Sequence, residues 1–586
     1  MKHPKIPLAQ TVIQLCKAKN IEHIVISPGS RNAPLTIGFS NDPFFKCYSI
    51  VDERCAAFFG LGIAQQTQKP VALVCTSGSA LLNYYPAIAE AFYSDIPLVV
   101  LSADRPEHLL NVGDGQTINQ ENVFQNHILF SANLKQDMRD INGFSQEDEP
   151  AILKSLENKL ERLFGLQQGI QKQNESDINE AINTAIYKKG PVHINIPFDE
   201  PLYEMVDKLS VNPKIDDIVV KTKKVDDRLL NDLVDQWYNA TKKMVLVGVN
   251  APNSIEQKWL DELAEDESVI VFTETTSNLH HSGFFPSIDK IIAPLTDNEY
   301  KELQPDILVT FGGMIVSKKI KAFLRQYKPK HHWHIDEQKA LDTFFCLDHH
   351  IKANPNYFFS EFFERVVHVA KSDYHEFWKT VKKYRNNKHK AYLETIPFSD
   401  LKVFGTLLKA IPKNTALQLA NSATVRYAQL FSLSKTLEIY CNRGTSGIDG
   451  STSTALGFAV ASKKQTTLIT GDLSFFYDSN ALWNNYIPKN FRIIVINNGG
   501  GGIFRILPGH KDSENFDTFF ETKHKLSAKQ LSEMYGFEYL KAESSESLFT
   551  SLKDFFESGK SLKLLEIFTP STINDEVLLN YFEFIK

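Results

Sequence analysis

Two oxygen donors close two apolar runs in the last third of the chain. Asp472 follows Leu468-Ile469-Thr470-Gly471, and Asn498 follows Phe491-Arg492-Ile493-Ile494-Val495-Ile496-Asn497. The glycines Gly499 to Gly502 come directly after Asn498. In an open parallel sheet, ligands bind beyond the carboxyl ends of the strands, so both donors stand where a ligand would. One hard carboxylate oxygen, one amide oxygen and a glycine backbone that allows close approach suit Mg2+ holding a diphosphate.

Arginines recur at similar places. Arg31 ends Ser27-Pro28-Gly29-Ser30-Arg31 after Ile24-Val25-Ile26, and Arg105 lies in Ser102-Ala103-Asp104-Arg105-Pro106 after Leu98 to Leu101. Arg426 comes after Leu417-Gln418-Leu419 and the segment Asn421-Ser422-Ala423-Thr424-Val425. Arg443 opens a glycine-rich run, Asn442 to Gly450. One such arginine reads as a surface ion-pair member. Four at strand exits point to bidentate recognition of carboxylates, and so to polycarboxylate substrates. Asp52-Glu53-Arg54 opens a helical stretch; a carboxylate in a first helical turn is ordinarily favourable dipole chemistry and nothing more.

Sheets must carry these residues. Val71 to Cys75, Leu98 to Leu101 and Val192 to Ile196 read as strands in the first third, with helices over Glu53 to Gln66 and Ala80 to Tyr93. Met244 to Gly248, Val269 to Phe272, Ile307 to Thr310 and His332 to Ile335 form a second set. Ala416 to Leu419, Leu468-Ile469 and Ile493 to Ile496 form a third. Strands alternating with helices predict an α/β protein with parallel sheets. Gln136 to Asp177 is polar, with helical periodicity over Ala151 to Leu166, and Lys371 to Leu393 reads as a charged helical connector.

Composition narrows the function. At about 150 residues per domain, 586 residues hold roughly three or four. The net charge is −6 with no basic segment, which argues against nucleic acid. Six scattered cysteines without a Cys-x-x-Cys pair argue against a zinc knuckle or a disulfide framework and fit a reducing cytoplasm. The N-terminal residues lack the apolar core of a signal peptide, and the apolar runs are too short to span a bilayer.

Gly471-Asp472 with Asn498 and the glycine run resembles the cofactor signature of the thiamine diphosphate enzymes, although Leu473 stands where that signature usually has glycine. Ser-Pro-Gly-Ser-Arg, Asp-Glu-Arg, Thr76-Ser77-Gly78-Ser79, Ala-Asp-Arg-Pro, the Asn442 to Gly450 run and Gly-Asp-Leu-Ser together resemble one branch of that family. It joins 2-oxoglutarate to isochorismate in menaquinone biosynthesis, and there Gly-Asp-Leu-Ser is the ordinary form. The resemblance covers nearly the whole chain.

It implies three α/β domains: a pyrimidine-binding domain over 1–200, a central domain over 210–370, a helical connector over 371–397 and a diphosphate- and Mg-binding domain over 398–586. It implies thiamine diphosphate with Mg2+ or Mn2+, the metal on Asp472, Asn498 and the Gly500 carbonyl. Glu53 becomes the catalytic carboxyl that bonds the pyrimidine ring, and Ile448 the apolar buttress of the bent cofactor. Ile503, Phe504 and Leu507 line the site. Substrate contacts fall on Ser30, Arg31, Arg105, Gln116, Lys318, Lys319, Ser422, Arg426 and Arg443. Arg505 has no role in this scheme. The resemblance further implies a homodimer or homotetramer with the cofactor at the subunit interface, in the cytoplasm. Two other readings stand beside it: a different thiamine diphosphate-dependent 2-oxoacid decarboxylase or carboligase, and a nucleotide-binding regulator that uses the glycine run as a phosphate nest.

Overall fold

Short runs rich in Val, Ile and Leu, buried on both faces, form the strands of three parallel six-stranded sheets in the computed structural model of this protein. The structure describes residues 2–137, 150–217, 224–368, 370–506, 513–557, 559 and 561–586, with the backbone alone over 150–165. Leu507 and residues 138–149 of the polar segment lie outside the described residues; the expected helix over Ala151 to Leu166 falls inside the helix Pro150–Lys188.

The first sheet comprises β1 (His23–Ile26), β2 (Lys46–Ser49), β3 (Val71–Cys75), β4 (Leu98–Asp104), β5 (Phe130–Asn133) and β6 (Val192–Pro197), in the order β2-β1-β3-β4-β6-β5. The second comprises β7 (Lys243–Val247), β8 (Val269–Thr273), β9 (Phe285–Pro286), β10 (Ile307–Phe311), β11 (His331–Ile335) and β12 (His349–Ile351), in the order β9-β8-β7-β10-β11-β12. The third comprises β13 (Ala416–Leu419), β14 (Glu438–Tyr440), β15 (Thr466–Gly471), β16 (Phe491–Asn497), β17 (Phe537–Ala542) and β18 (Leu562–Phe568), in the order β14-β13-β15-β16-β18-β17. The first and third sheets therefore share one strand order. In each, the chain reverses direction between the first and third strands, which opens a crevice at their carboxyl ends. Ser27 to Arg31 and Thr76 to Gly78 flank that crevice in one sheet; Ala420 to Ser422 and Asp472 flank it in the other.

The chain packs as two units: Met1–Val220 with Ser453–Lys463 and Asp478–Ile487, and Lys221–Thr452 with Lys464–Tyr477 and Pro488–Lys586. In the first unit the helix Glu53–Thr67 crosses the helix Ser451–Ala461 backbone to backbone. A Cβ at Gly62 would collide with the Thr454 carbonyl, and one at Gly457 with the Phe59 carbonyl. The buried Asp478 fastens this crossing by accepting the N–H (2.7 Å) and hydroxyl (2.8 Å) of Ser453. The expected Ala80 to Tyr93 helix divides into Ser79–Asn83 and Tyr85–Ser94, because Pro86 has no N–H to continue the ladder.

In the second unit Asn278 pairs with edge strand β14 as a strand residue would. Its Nδ2 donates to the Ile439 carbonyl (2.9 Å) and its Oδ1 accepts the Ile439 N–H (2.8 Å). Just before it, at the exit of β8, the buried Glu274 accepts the N–H groups of Val316 (2.7 Å) and Ser317 (2.7 Å), which precede the helix Lys318–Gln326. Burial outweighs these bonds and one from Gln429, with a smaller push from Asp289, and moves the Glu274 carboxyl up to about 7.

Two outcomes follow from these fasteners. Gly457→Val should lower the unfolding temperature by several degrees, since over-packing a close backbone contact costs about 1–3 kcal/mol; an unchanged melting curve would show that the helices can part freely. For Glu274, the folded state favours the protonated acid, so its contribution is complete below the ordinary carboxyl range and is lost as pH rises towards 7. The stability of the native chain relative to Glu274→Gln should therefore fall by roughly 1–3 kcal/mol between pH 5 and 7, read from urea midpoints. A pH-independent difference would refute it.

Candidate active site

In the first unit, the exits of β1, β3 and β4 meet. Gly29 presses so closely on Thr76 that a Cβ there would overlap its side chain. Ser77 Oγ donates to the Gln116 carbonyl (2.9 Å), and the Gly78 N–H donates to Gln120 Oε1 (2.9 Å). Gln120 was not foreseen from the sequence. Buried, it also donates to Asn195 Oδ1 (2.7 Å) and so ties three strand exits together.

Arg31 is only 8% exposed; its Nη1 donates to the Phe198 carbonyl (3.1 Å) and stands 3.4 Å from Glu200, and its buried Nε has no partner among the described residues. Arg105 donates through Nε and Nη2 to the Gly115 carbonyl (3.0 and 2.6 Å) and pairs with Asp114 (2.7 Å). Burial and then the nearby Arg105 charge lower the Arg31 pKa, so the two guanidiniums share one locality. Ser30 is exposed beside them.

Glu53 starts the helix that follows β2, next to Asp52, whose carboxylate accepts the Cys55 N–H (3.1 Å). Its charge adds to burial in raising Cys75, at the end of β3, and Tyr84. Glu53 is thus near enough to the end of β3 for its charge to be felt there.

The second unit gathers the remaining residues. Asp472, 3% exposed, accepts the N–H groups of Gly499 (2.9 Å) and Gly500 (3.0 Å) through Oδ2. Asn498 donates through Nδ2 to Asp400 (3.0 Å), which leaves its buried Oδ1 without a partner among the described residues. The Gly500 carbonyl accepts the Gly502 N–H (3.0 Å) and keeps a second lone pair free for another donor or a cation. Ile448 lies in the loop after β14, where its carbonyl accepts Ser474 Oγ (2.9 Å). Ile503 and Phe504, both half-buried, form the turn Gly502–Ile506.

Arg443 is 8% exposed, with Nη1 donating to Asn421 Oδ1 (2.7 Å) and a buried, unpartnered Nε. Arg426 donates to the carbonyl of Ser422, and burial followed by the Arg443 charge lowers its pKa. This is a second guanidinium pair. Lys318 and Lys319 are exposed at the start of their helix, and Lys319 Nζ stands 4.9 Å from the Phe582 ring centroid. Lys319 and Arg426 both act on the buried Asp289. Lys321, also unforeseen, feels Glu274, Arg443 and Lys318 behind the burial that lowers its pKa.

Three stretches of the chain match known domain types: the thiamine pyrophosphate enzyme N-terminal TPP binding domain over residues 6–132, the middle domain of thiamine pyrophosphate enzymes over 219–419, and the C-terminal TPP binding domain over 421–567. The chain is 58% identical over 592 residues to a protein of Christiangramia forsetii and 56% over 583 to one of Flavobacterium psychrophilum, covering 100% of each chain. It is 38% identical over 585 residues to one of Porphyromonas gingivalis, covering 98% of this chain and 96% of that one. All three carry the name 2-succinyl-5-enolpyruvyl-6-hydroxy-3-cyclohexene-1-carboxylate synthase. The chain belongs to that synthase family of thiamine pyrophosphate enzymes.

The family's cofactor has donors to meet here. A buried amide oxygen without a partner is costly in a folded protein, and Asn498 Oδ1 is one, beside a buried carboxylate and a glycine carbonyl. That donor set, all oxygen, fits a hard cation bridging a diphosphate. Among the described residues no three His, Cys, Asp or Glu side chains gather as a metal site, and this set contains a single carboxylate. His524, which sequence reasoning missed, places Nε2 3.3 Å from Asp472 Oδ2, and that carboxylate raises the imidazole above its ordinary range.

Arg505 gains a role as well. Its Nε and Nη2 bind both oxygens of Glu521 (2.6 and 2.5 Å), a residue 1% exposed whose carbonyl accepts the Gly501 N–H (2.6 Å). Arg505 therefore clasps the glycine loop. Arg505→Met would strand a buried carboxylate with only Lys523 (3.7 Å) near it. The loss should be about 1–3 kcal/mol, below that of a fully buried pair because Lys523 remains. Calorimetric melting should fall by several degrees, and an unshifted melt would show the clasp to be idle.

Proposed function

We propose that this enzyme decarboxylates 2-oxoglutarate and adds the resulting succinyl unit to isochorismate, using thiamine diphosphate and Mg2+ or Mn2+. The observation that carries the reading is a buried arginine in each unit, Arg31 and Arg443, whose Nε has no partner among the described residues, each with a second guanidinium close by, Arg105 and Arg426. Carboxylates of the protein, Glu200 (3.4 Å from Arg31), Asp114 and Asp289, offset part of this charge, and the planar forks that remain match carboxylates of a ligand. The name borne by relatives at 56% and 58% identity supports the same substrates.

When bound, thiamine diphosphate supplies the electron sink for loss of carbon dioxide. The chain's share is placement and charge. Asp472, Asn498 Oδ1 and the Gly500 carbonyl would hold the metal. Glu53 would present its carboxyl to the pyrimidine ring, and Ile448, Ile503 and Phe504 would wall the cofactor. The four arginines, with Ser30, Gln116, Ser422, Lys318 and Lys319, would orient the carboxylates of both substrates. In this reading residues 1–200 bind the pyrimidine, 210–370 form the central domain, 371–397 connect, and 398–586 bind the diphosphate. The working form is a homodimer or homotetramer with the cofactor at the subunit interface, and it acts in the cytoplasm. Among the described residues no helix is long and apolar enough to cross a membrane.

Product analysis tests the substrates: 2-oxoglutarate with isochorismate should yield the coupled product, whereas turnover of pyruvate or benzoylformate in place of 2-oxoglutarate would overturn the assignment. Glu53→Gln should cut turnover by about 10²–10⁴-fold, the range of a lost acid–base group, while calorimetry still detects cofactor binding in Mg2+. Near-normal turnover in this variant would remove Glu53 from the chemistry.

A further inference from the structure

Behind the glycine loop lies a small cavity whose border includes Asp400, Asn498, Arg505, Glu521 and Asn574 beside the apolar Ile503 and Ile506. Arg505 and Glu521 satisfy each other, but Asp400 is spent differently. It is the first residue of the helix Asp400–Ala410, far in sequence from the loop, and is 3% exposed. Its Oδ2 accepts Asn498 Nδ2 (3.0 Å) and its Oδ1 accepts Thr569 Oγ1 (2.6 Å). Its own N–H donates to Asn574 Oδ1 (2.8 Å). Thr569 in turn donates its N–H to the Asn497 carbonyl (3.1 Å), so the frame that holds Asp400 is fixed to the end of β16 itself.

An asparagine side chain is ambiguous: rotated by half a turn about its last bond, it exchanges oxygen and nitrogen. Which atom faces the ligand depends on what stands behind it. A carboxylate accepts only, so it binds the NH2 end and turns the oxygen the other way. Asn498 Oδ1 is the atom left buried and unpaired on that other side.

We infer that Asp400 is the positioning residue that fixes the Asn498 amide with its oxygen presented to the metal. The inference rests on the metal reading above. Residues behind first ligands commonly set metal affinity by about 10–100-fold, and here the effect acts through orientation. Without the acceptor, the amide can turn its NH2 group towards the cation, and a donor hydrogen there repels what the oxygen would bind.

The test is titration of the full chain with Mg2+ in the presence of thiamine diphosphate, followed by calorimetry, and with Mn2+ followed by electron paramagnetic resonance. Asp400→Leu should weaken the metal by about 10–100-fold. Asp400→Asn should stay close to the native value, since its oxygen can accept from Asn498 while its NH2 donates to Thr569. Should Asp400→Leu fail to fold, Asp400→Ser, too short to reach Asn498, should show the same weakening. A lowered melting temperature with unchanged metal affinity in the Leu or Ser variant would make Asp400 merely structural and overturn the inference. Asp472→Ala separates the two claims. If that variant loses metal binding while the Asp400 variants keep it, the positioning claim fails alone; if the native chain binds the cofactor equally well without metal, the metal reading itself fails.

Discussion

The bond from one carboxylate to two successive backbone N–H groups sets the geometry of the candidate site. Asp472 accepts from Gly499 and Gly500, and it can do so because β15 and β16 are neighbours in register, Gly471 opposite Ile496. Both strands therefore deliver their exits to one place. The loop beyond them turns through positive φ at Gly499 (77°) and Gly500 (152°), and a Cβ at Gly500 would press on the Glu521 carbonyl. Glycine is required there by both backbone conformation and space. So flexible a run would wander unless fastened on its far side as well. The Glu521 carbonyl takes the Gly501 N–H, the His524 N–H reaches the Gly499 carbonyl, and Arg505 locks the Glu521 side chain. The loop is thus ordered by its surroundings, not by its own sequence.

The shared strand order of the first and third sheets gives the arginine pairs a common logic. In each sheet the guanidiniums come from loops that border or neighbour the crevice at the topological reversal. Arg31 leaves β1 and Arg105 leaves β4; Arg426 follows β13 and Arg443 follows β14. Within each pair both arginines are held by the protein: one, Arg105 or Arg426, by Asp114 and Gly115 or by the Ser422 carbonyl, and the other, Arg31 or Arg443, by the Phe198 carbonyl with Glu200 (3.4 Å) or by Asn421. The other keeps a buried Nε unfilled. An unpaired buried donor costs about 1–3 kcal/mol, so each pair holds one guanidinium nitrogen at some expense of stability.

Most central strands were legible and most edge strands were not. Val71–Cys75, Ile307–Phe311 and Phe491–Asn497 are buried along their whole length and mostly apolar, broken only by Thr310, Arg492 and Asn497, and such runs announce themselves. β5, β9, β12 and β14 are edge strands of two to four residues, too short to show a period. β18 hid for another reason. It carries Lys563 and Glu566 in the interior, and Glu566 is fully buried because Ser527, Tyr539, Asn497 and the Ala528 N–H all donate to it. Residues at strand exits, such as Asp472 and Arg31, could be read because their type and place coincide. Asp400, Gln120, Glu521 and His524 could not, since each acts on a loop distant in sequence and sits in an ordinary-looking stretch.

Asp400 shares a physical character with three other residues of the interior. Asp400, Asp478, Glu274 and Glu566 are buried acids, and burial pushes the first two to about 6 and about 7 and the third to about 7. Desolvation on this scale would be a poor bargain for the core alone, where an apolar side chain of equal size packs as well. Each instead accepts backbone N–H or side-chain donors from a segment that a hydrophobic contact could not orient: the start of the helix Ser451–Ala461, the approach to Lys318–Gln326, the amide of Asn498, or the turn at Ser527-Ala528. Apolar packing fixes where a segment lies; a carboxylate with two or more donors also fixes which way its atoms point. A site assembled from loop backbone and amide oxygens needs the second property, and Asp400 and Glu274 supply it beside the strand exits, as Glu566 does from within β18.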